Sequence, residues 1–267
     1  MNRIYRERKY KCGEYLEVAV YPVYTTAKGR RRKKKPTSEI QQRLNQRHAT
    51  GILRRLLHTN FNKNDLFVTL TFDDENLPVT VEDGQRIVQN FLRRAKRKYQ
   101  IIGKDLKYVY ILEYGEKHHR LHTHLVMSGG IGAEEITTLW GLGMVSADKL
   151  HFEKNGGLSA LATYFTKGGN TATDRITYKR WVGSRNLEKP TVTTRDGRLS
   201  HKKMRDLCLD KGDLEYLETE FRGYEMADTS VDVCEDIYGG LYLSAILKKI
   251  PPDKIWVNKN LPLWVGL

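Results

Sequence analysis

Two strand-like stretches that lie close together along the chain limit the fold most strongly. Residues 107–114 and 121–127 are rich in β-branched and aromatic side chains, and the link from Gly115 to Arg120 is short and polar. A link of this length joins antiparallel neighbours, because parallel strands need a crossover of about a dozen residues or more. The pattern therefore predicts a β-hairpin.

The segments around this hairpin alternate between helical and strand periodicity. Helices are expected from Thr37 or Ser38, after a cap at Thr80 with Asp83 in a capping box, at 134–140 and at 158–167. Strands are expected at 66–72 and 144–151. The order strand, helix, strand, strand, helix, strand, helix predicts an α+β fold, with a mainly antiparallel sheet and helices packed on it.

The composition changes on both sides of this region. We expect a basic N-terminal arm with a short strand at 1–36, a main domain at 37–190, and a C-terminal extension of unknown role at 191–267. Within the extension the patterns predict a helix at 202–209 and strands near 217–226 and 241–247.

The net charge indicates the chemical class of the partner. Lys and Arg number 46 against 32 Asp and Glu, which gives a formal charge of +14. Such an excess favours a polyanion, which is either nucleic acid or an anionic membrane surface. No apolar run approaches the roughly 18 residues of a membrane span, and neither a secretory signal nor a phosphate-binding loop motif is present. Three distant cysteines, Cys12, Cys208 and Cys234, favour a reducing cytoplasm.

A candidate metal site lies in the hairpin. His122 and His124 are two residues apart on one strand, so their imidazoles point to the same face. If the link is symmetric, Glu113 lies opposite His122 and joins them, whereas a slip of one residue would turn its carboxylate away. Two imidazoles and one carboxylate suit a divalent ion such as Mn²⁺ or Mg²⁺. His118 and His119 are expected to lie in the solvated turn.

A candidate nucleophile lies on the helix predicted at 158–167. Tyr164 falls at the flank of the apolar stripe of this helix, and Lys167 follows one turn later. A phenol with a pKa of about 10 attacks poorly at neutral pH unless a cation or a polarised phosphate assists it. The alternative is an ordinary boundary tyrosine with no chemical role.

Several basic stretches are candidate phosphate contacts. They comprise a block that is basic at every position except one between 28 and 35, a helix end, and a pair further along the chain. The residues are Arg30, Arg31, Arg32, Lys33, Lys34, Lys35, Arg93, Arg94, Lys96, Arg97, Lys98, Lys179 and Arg180. Each of these stretches could equally be a solvated surface.

Four segments occur together in a characteristic order. They are Phe-Val-Thr-Leu-Thr-Phe at 67–72, Glu-Tyr-Gly at 113–115 with Arg-Leu-His-Thr-His-Leu at 120–125, Tyr-Phe-Thr-Lys at 164–167, and the stretch 179–190. Over residues 38–190 the chain resembles HUH-superfamily rolling-circle replication initiators, most closely the phage- and plasmid-type replication-associated proteins of bacteria. One residue departs from that pattern: the position between the histidines is usually bulky and apolar, and here it is Thr123, which is expected to face away from the metal.

The resemblance implies an HUH endonuclease, palm-like fold and a nicking-joining activity on single-stranded DNA. In that case His122, His124 and Glu113 would hold the metal, Tyr164 would form a 5′-phosphotyrosine link and leave a 3′-hydroxyl primer, and Lys167 would offset charge in the transition state. The partners implied are an origin hairpin, a host helicase and a host polymerase, in the cytoplasm of a bacterial host cell. Alternatives are a single-tyrosine transposase or relaxase, and a non-catalytic single-stranded DNA-binding protein.

Overall fold

The computed structural model describes residues 3–24, 39–115, 120–154, 156–167, 181–209, 217, 219–234 and 240–251. The chain divides into two compact units. The central unit comprises Thr37–Glu153 and Gly157–Lys189, and the terminal unit comprises Met1–Pro36, Lys154–Gly156 and Pro190–Leu267.

The described residues form ten strands and five helices. In chain order these are β1 Arg3–Cys12, β2 Tyr15–Tyr24, α1 Glu39–Asn60, β3 Leu66–Thr71, α2 Val81–Ile101, β4 Tyr108–Tyr114, β5 Leu121–Met127, α3 Ala133–Trp140, β6 Val145–Lys149, α4 Ser159–Thr166, β7 Val182–Gly183, β8 Thr191–Asp196, α5 His201–Leu209, β9 Tyr224–Cys234 and β10 Gly240–Lys249.

The central unit is built on an antiparallel sheet with the strand order β6-β3-β5-β4-β7. The predicted α+β class and the predicted order of elements from β3 to α4 are confirmed. The predicted hairpin is β4 and β5, and its register pairs Glu113 with His122. Thr80 caps α2 as expected, since its hydroxyl accepts a hydrogen bond from the backbone N–H of Asp83 at 3.1 Å.

Both faces of this sheet are covered by helices, because successive side chains of a strand alternate between the faces. On one face, α2 and α3 pack against the strands, and the buried cluster includes Leu70, Leu112, Leu125, Val88, Phe91 and Trp140. On the other face, α1 and α4 pack against the strands, and the buried cluster includes Val109, Ile111, Val126, Leu57 and Phe165.

The segment between α3 and β6 passes close to the end of β3. Gly143 has a φ of +149°, and a Cβ there would lie 2.4 Å from the carbonyl oxygen of Thr71. Because that contact is with backbone, only glycine fits at this position. The close approach lets the carbonyl of Met144 accept hydrogen bonds from both the backbone N–H and the hydroxyl of Thr71, at 3.0 and 3.1 Å.

The terminal unit joins both ends of the chain in one antiparallel sheet with the order β8-β1-β2-β10-β9. Residues 1–36 and 191–267 were expected as separate arm and extension, but β10 pairs with β2 and β8 pairs with β1. The strand expected over 217–226 begins only at Tyr224, because 219–220 are helical and 221–223 form a turn. A buried carboxylate, Glu7, is compensated by Arg198 at 3.3 Å and Lys9 at 3.2 Å.

Three sequence-based expectations concern membranes, the arm and the hairpin turn. No helix in the described part of the chain is long and apolar enough to cross a bilayer. The basic block at 28–35 lies outside the described residues, and so do His118 and His119.

Candidate metal and tyrosine site

The hairpin register brings the three predicted metal ligands together. His122 and His124 project from β5 and Glu113 projects from β4, all on the sheet face that α1 and α4 cover. Oε1 of Glu113 lies 3.4 Å from Nε2 of His122 and 3.2 Å from Nε2 of His124. The three ligand atoms all lie within 4.8 Å of one another.

The second nitrogen of each imidazole has a hydrogen-bond partner of its own. Nδ1 of His122 lies 3.2 Å from the carbonyl oxygen of Arg120, and Nδ1 of His124 lies 3.1 Å from Oγ1 of Thr69 on β3. The ring of Phe67 stacks on that of His124 with a centroid separation of 5.6 Å and an interplanar angle of 9°. A histidine that donates from Nδ1 to such an acceptor presents its Nε2 lone pair to a metal.

This arrangement fits a divalent cation. Ligand atoms bound to one ion at about 2.1 Å lie about 3 Å apart when they are adjacent. The two distances from Glu113 Oε1 to the imidazole nitrogens are close to that separation. The ligands come from two adjacent strands of a sheet that is covered on both faces, so little reorganisation is needed to hold an ion.

The electrostatics of the three side chains are coupled. Burial alone would raise the pKa of Glu113, but hydrogen bonds from His122, His124 and Tyr164 outweigh burial and hold the pKa well below its usual range. The hydrogen bond to Glu113 raises the pKa of His122 against the opposing effect of burial. The site therefore carries an ionised carboxylate, which is the form that binds a cation.

Tyr164 reaches the same carboxylate oxygen from α4. Its hydroxyl donates to Oε1 of Glu113 at 2.5 Å, and its ring lies 5.3 Å from that of His124. The side chain is 38% exposed, so it is open to a ligand from solvent. The expected position at the flank of the helix agrees with this, since the neighbouring Phe165 is buried in the core between α4 and the sheet.

Contacts at both ends of α4 hold this tyrosine over the sheet. At the first turn, Nε2 of the buried His58 accepts a hydrogen bond from the backbone N–H of Leu158 at 2.9 Å. At the last turn, the side chain of Gln46 donates to the carbonyl oxygen of Thr166, and the hydroxyls of Thr50 and Thr166 are 2.6 Å apart. Sequence analysis did not find these α1 residues, because no local pattern links positions about 100 residues apart.

Lys167 follows directly after α4. Its side chain is exposed, and its backbone N–H donates to the carbonyl oxygens of Thr163 and Tyr164 at 2.7 and 3.2 Å. Within the described residues no ion pair involves its ammonium group. The structure thus places Lys167 one turn from the tyrosine but shows no contact with the three ligands.

The predicted basic residues on α2 are not brought to this site. That helix covers the opposite face of the sheet, where Thr123 is also buried, as expected for a side chain that points away from the metal. Arg94 donates to the carbonyl oxygen of Leu139, and Lys98 forms an ion pair with Glu135 at 2.8 Å. The other predicted phosphate contacts lie outside the described residues, namely Arg30, Arg31, Arg32, Lys33, Lys34, Lys35, Lys179 and Arg180.

Comparison with known proteins gives one match. No curated protein and no solved structure matches the chain. The matched region runs from just before β3 to just after α4, and it contains Glu113, His122, His124, Tyr164 and Lys167. Residues 65–169 match the family model of the ORF2-type replication-associated proteins, and this similarity supports a role in the initiation of replication.

Proposed function

We propose that this protein is a rolling-circle replication initiator of the HUH type, which nicks and rejoins single-stranded DNA through Tyr164 with the help of a divalent metal. The similarity of residues 65–169 to a replication-associated family supports the biological role. The observation that carries the chemistry is the convergence of a tyrosine from α4 on a carboxylate and two histidines from β4 and β5.

The hydroxyl of Tyr164 is the proposed nucleophile. Its oxygen forms a bond to the scissile phosphorus while the bond from phosphorus to the 3′-oxygen breaks, and the tyrosine retains the 5′-phosphate. The tyrosine loses one proton and the departing 3′-oxygen gains one, so the protons balance. The reverse reaction rejoins the strand, and a single motif tyrosine suffices for both steps.

Glu113 acts in this scheme as an anchor rather than as a base. Its low pKa makes it a weak proton acceptor, whereas its hydrogen bond from Tyr164 orients the phenol. Glu113, His122 and His124 would hold Mn²⁺ or Mg²⁺, which would supply Lewis-acid polarisation of the scissile phosphate. The exposed ammonium of Lys167 would offset negative charge on the phosphate in the transition state.

The test is an assay for a covalent adduct. A single-stranded oligonucleotide from the origin of the element that encodes the protein is labelled at its 3′ end and incubated with the protein and Mn²⁺. We expect a labelled protein band that survives denaturation with the wild type, and no band with Tyr164→Phe. The matched control is Tyr114→Phe, an exposed tyrosine beside Glu113 whose side chain points to the opposite face.

A second variant separates metal-dependent cleavage from binding. His122→Ala is expected to abolish the adduct while much of the salt-sensitive DNA binding remains. If Tyr164→Phe still forms the adduct at the wild-type rate, Tyr164 is not the nucleophile. If the wild type binds the oligonucleotide and never forms an adduct, the protein is a non-catalytic DNA-binding protein.

The related alternative is a single-tyrosine transposase or relaxase with the same chemistry. The family match favours replication over these activities. Cleavage rates on an origin hairpin and on a transposon end, measured side by side, decide between them.

A further inference from the structure

The outer side of α2 carries positive charge that the central unit does not use. Arg93, Lys96 and Arg97 are exposed there. Together with three further side chains they line an open hollow on the helix surface, and those three are Asn90, Arg94 and Gln100. In the part of the chain that the structure describes, no ion pair joins the three exposed cations to a carboxylate.

This charged side of α2 faces away from the candidate metal site. The helix packs through Val88, Phe91 and Ala95 onto the sheet face opposite that of the histidines. At 100° per residue, the three cations fall opposite this buried stripe. Because a helix with its side chains is about 10–12 Å thick, a strand held at Tyr164 lies on the far side of the sheet from these cations.

The chemistry of this side of α2 suits the backbone of a duplex better than a single strand. Both aromatic residues of α2, Phe91 and Tyr99, are buried with 0% exposure. Surfaces that bind single strands combine cations with exposed aromatic rings on which bases stack. A duplex backbone requires only cations and amide donors, and Asn90 and Gln100 add amides to the lining of the same hollow.

We propose that the outer side of α2 binds the phosphate backbone of double-stranded DNA, at a site separate from the strand that is cut. The proposal rests on the proposed function only for the place of the cut strand. Arg93, Lys96 and Arg97 are the contacting residues, whereas Arg94 and Lys98 also tie α2 to α3.

The experiment measures the salt dependence of binding without any cleavage. A labelled duplex of arbitrary sequence and the matching single strand are titrated with the full chain by fluorescence anisotropy, in a chelator and at several salt concentrations. The test variant removes three positive charges from α2. The control variant removes three exposed positive charges elsewhere in the central unit. The substitutions are Arg93→Gln, Lys96→Gln and Arg97→Gln for the test, and Lys63→Gln, Lys104→Gln and Lys149→Gln for the control.

Each phosphate contact contributes about 0.9 to the slope of log K against log salt for a duplex. We therefore expect the test variant to flatten the duplex slope by about 2 to 3, and the control variant to change it by less than about 1. For the single strand, both variants should change the slope by the same small amount.

An unchanged duplex slope in the test variant would overturn the proposal, and so would an equal loss in the control variant. Equal flattening for duplex and single strand would also overturn it, because α2 would then bind single strands instead. Because these measurements use neither metal nor Tyr164, a failure of the adduct assay would leave them unaffected, and the two proposals fail separately.

Discussion

Thr69→Val tests whether the hydroxyl on β3 orients a metal ligand. The substitution keeps the shape and the β-branched side chain, but it removes the acceptor that lies 3.1 Å from Nδ1 of His124. That imidazole is only 13% exposed, so its N–H would be left without water or protein to accept it. A lost hydrogen bond of this kind costs about 1.5 kcal/mol, which corresponds to about a tenfold weaker affinity for Mn²⁺.

Isothermal titration of the full chain with Mn²⁺ at neutral pH measures this change directly. Thr69→Ser retains the hydroxyl and should bind within about twofold of the wild type. The matched control is Thr71→Val on the same face of β3, whose hydroxyl donates to the carbonyl oxygen of Met144 rather than to a histidine. Nitrogen chemical shifts of the imidazole of His124 should report a change of tautomer in Thr69→Val. Wild-type affinity in Thr69→Val, or an equal loss in Thr71→Val, would refute the positioning role.

Three further predictions concern pH, stability and the placement of α4. Because Glu113 raises the pKa of His122, protons compete with the metal for Nε2, and the affinity for Mn²⁺ should fall as the pH is lowered through that raised value; titrations at stepped pH measure this, and a constant affinity would contradict it. Thr123→Val should stabilise the central unit by about 1 kcal/mol and raise Tm by about 2–4 °C in thermal unfolding, because the buried hydroxyl has no hydrogen-bond partner among the described residues; a lower Tm would contradict this. Thr50→Val loses a hydrogen bond to the end of α4, so adduct formation should slow by about tenfold with unchanged affinity for Mn²⁺; an altered affinity would place the effect in the metal site instead.

Local patterns were sufficient where neighbouring segments interact. The link between β4 and β5 is short, so symmetry about its centre was enough to pair Glu113 with His122, and the structure has this register. The period of two along β5 places both histidines on one face, and the helical period of α4 places Tyr164 at its flank. These features depend on backbone geometry that a short segment already specifies.

Local patterns failed where distant segments meet. Nothing in residues 3–24 indicates that β2 pairs with β10, more than 200 residues later, because backbone pairing leaves little trace in the composition of either strand. For the same reason the tie between Thr50 and the end of α4 had no sequence signal. The basic run at 93–98 is one continuous stretch in the sequence, but helix packing divides it, since Arg94 and Lys98 contact α3 and the others face solvent.

The sequence by itself determined the ligand types, the nucleophile candidate and the strand that carries the histidines, because these depend on residue chemistry and on the period of a strand or helix. Only the tertiary structure decided that α4 brings Tyr164 within hydrogen-bonding distance of Glu113, that Thr69 and Phe67 fix His124, and that α2 lies on the opposite face. Such contacts arise from the packing of helices on a sheet. That packing minimises the free energy of the whole domain, and no single segment encodes it.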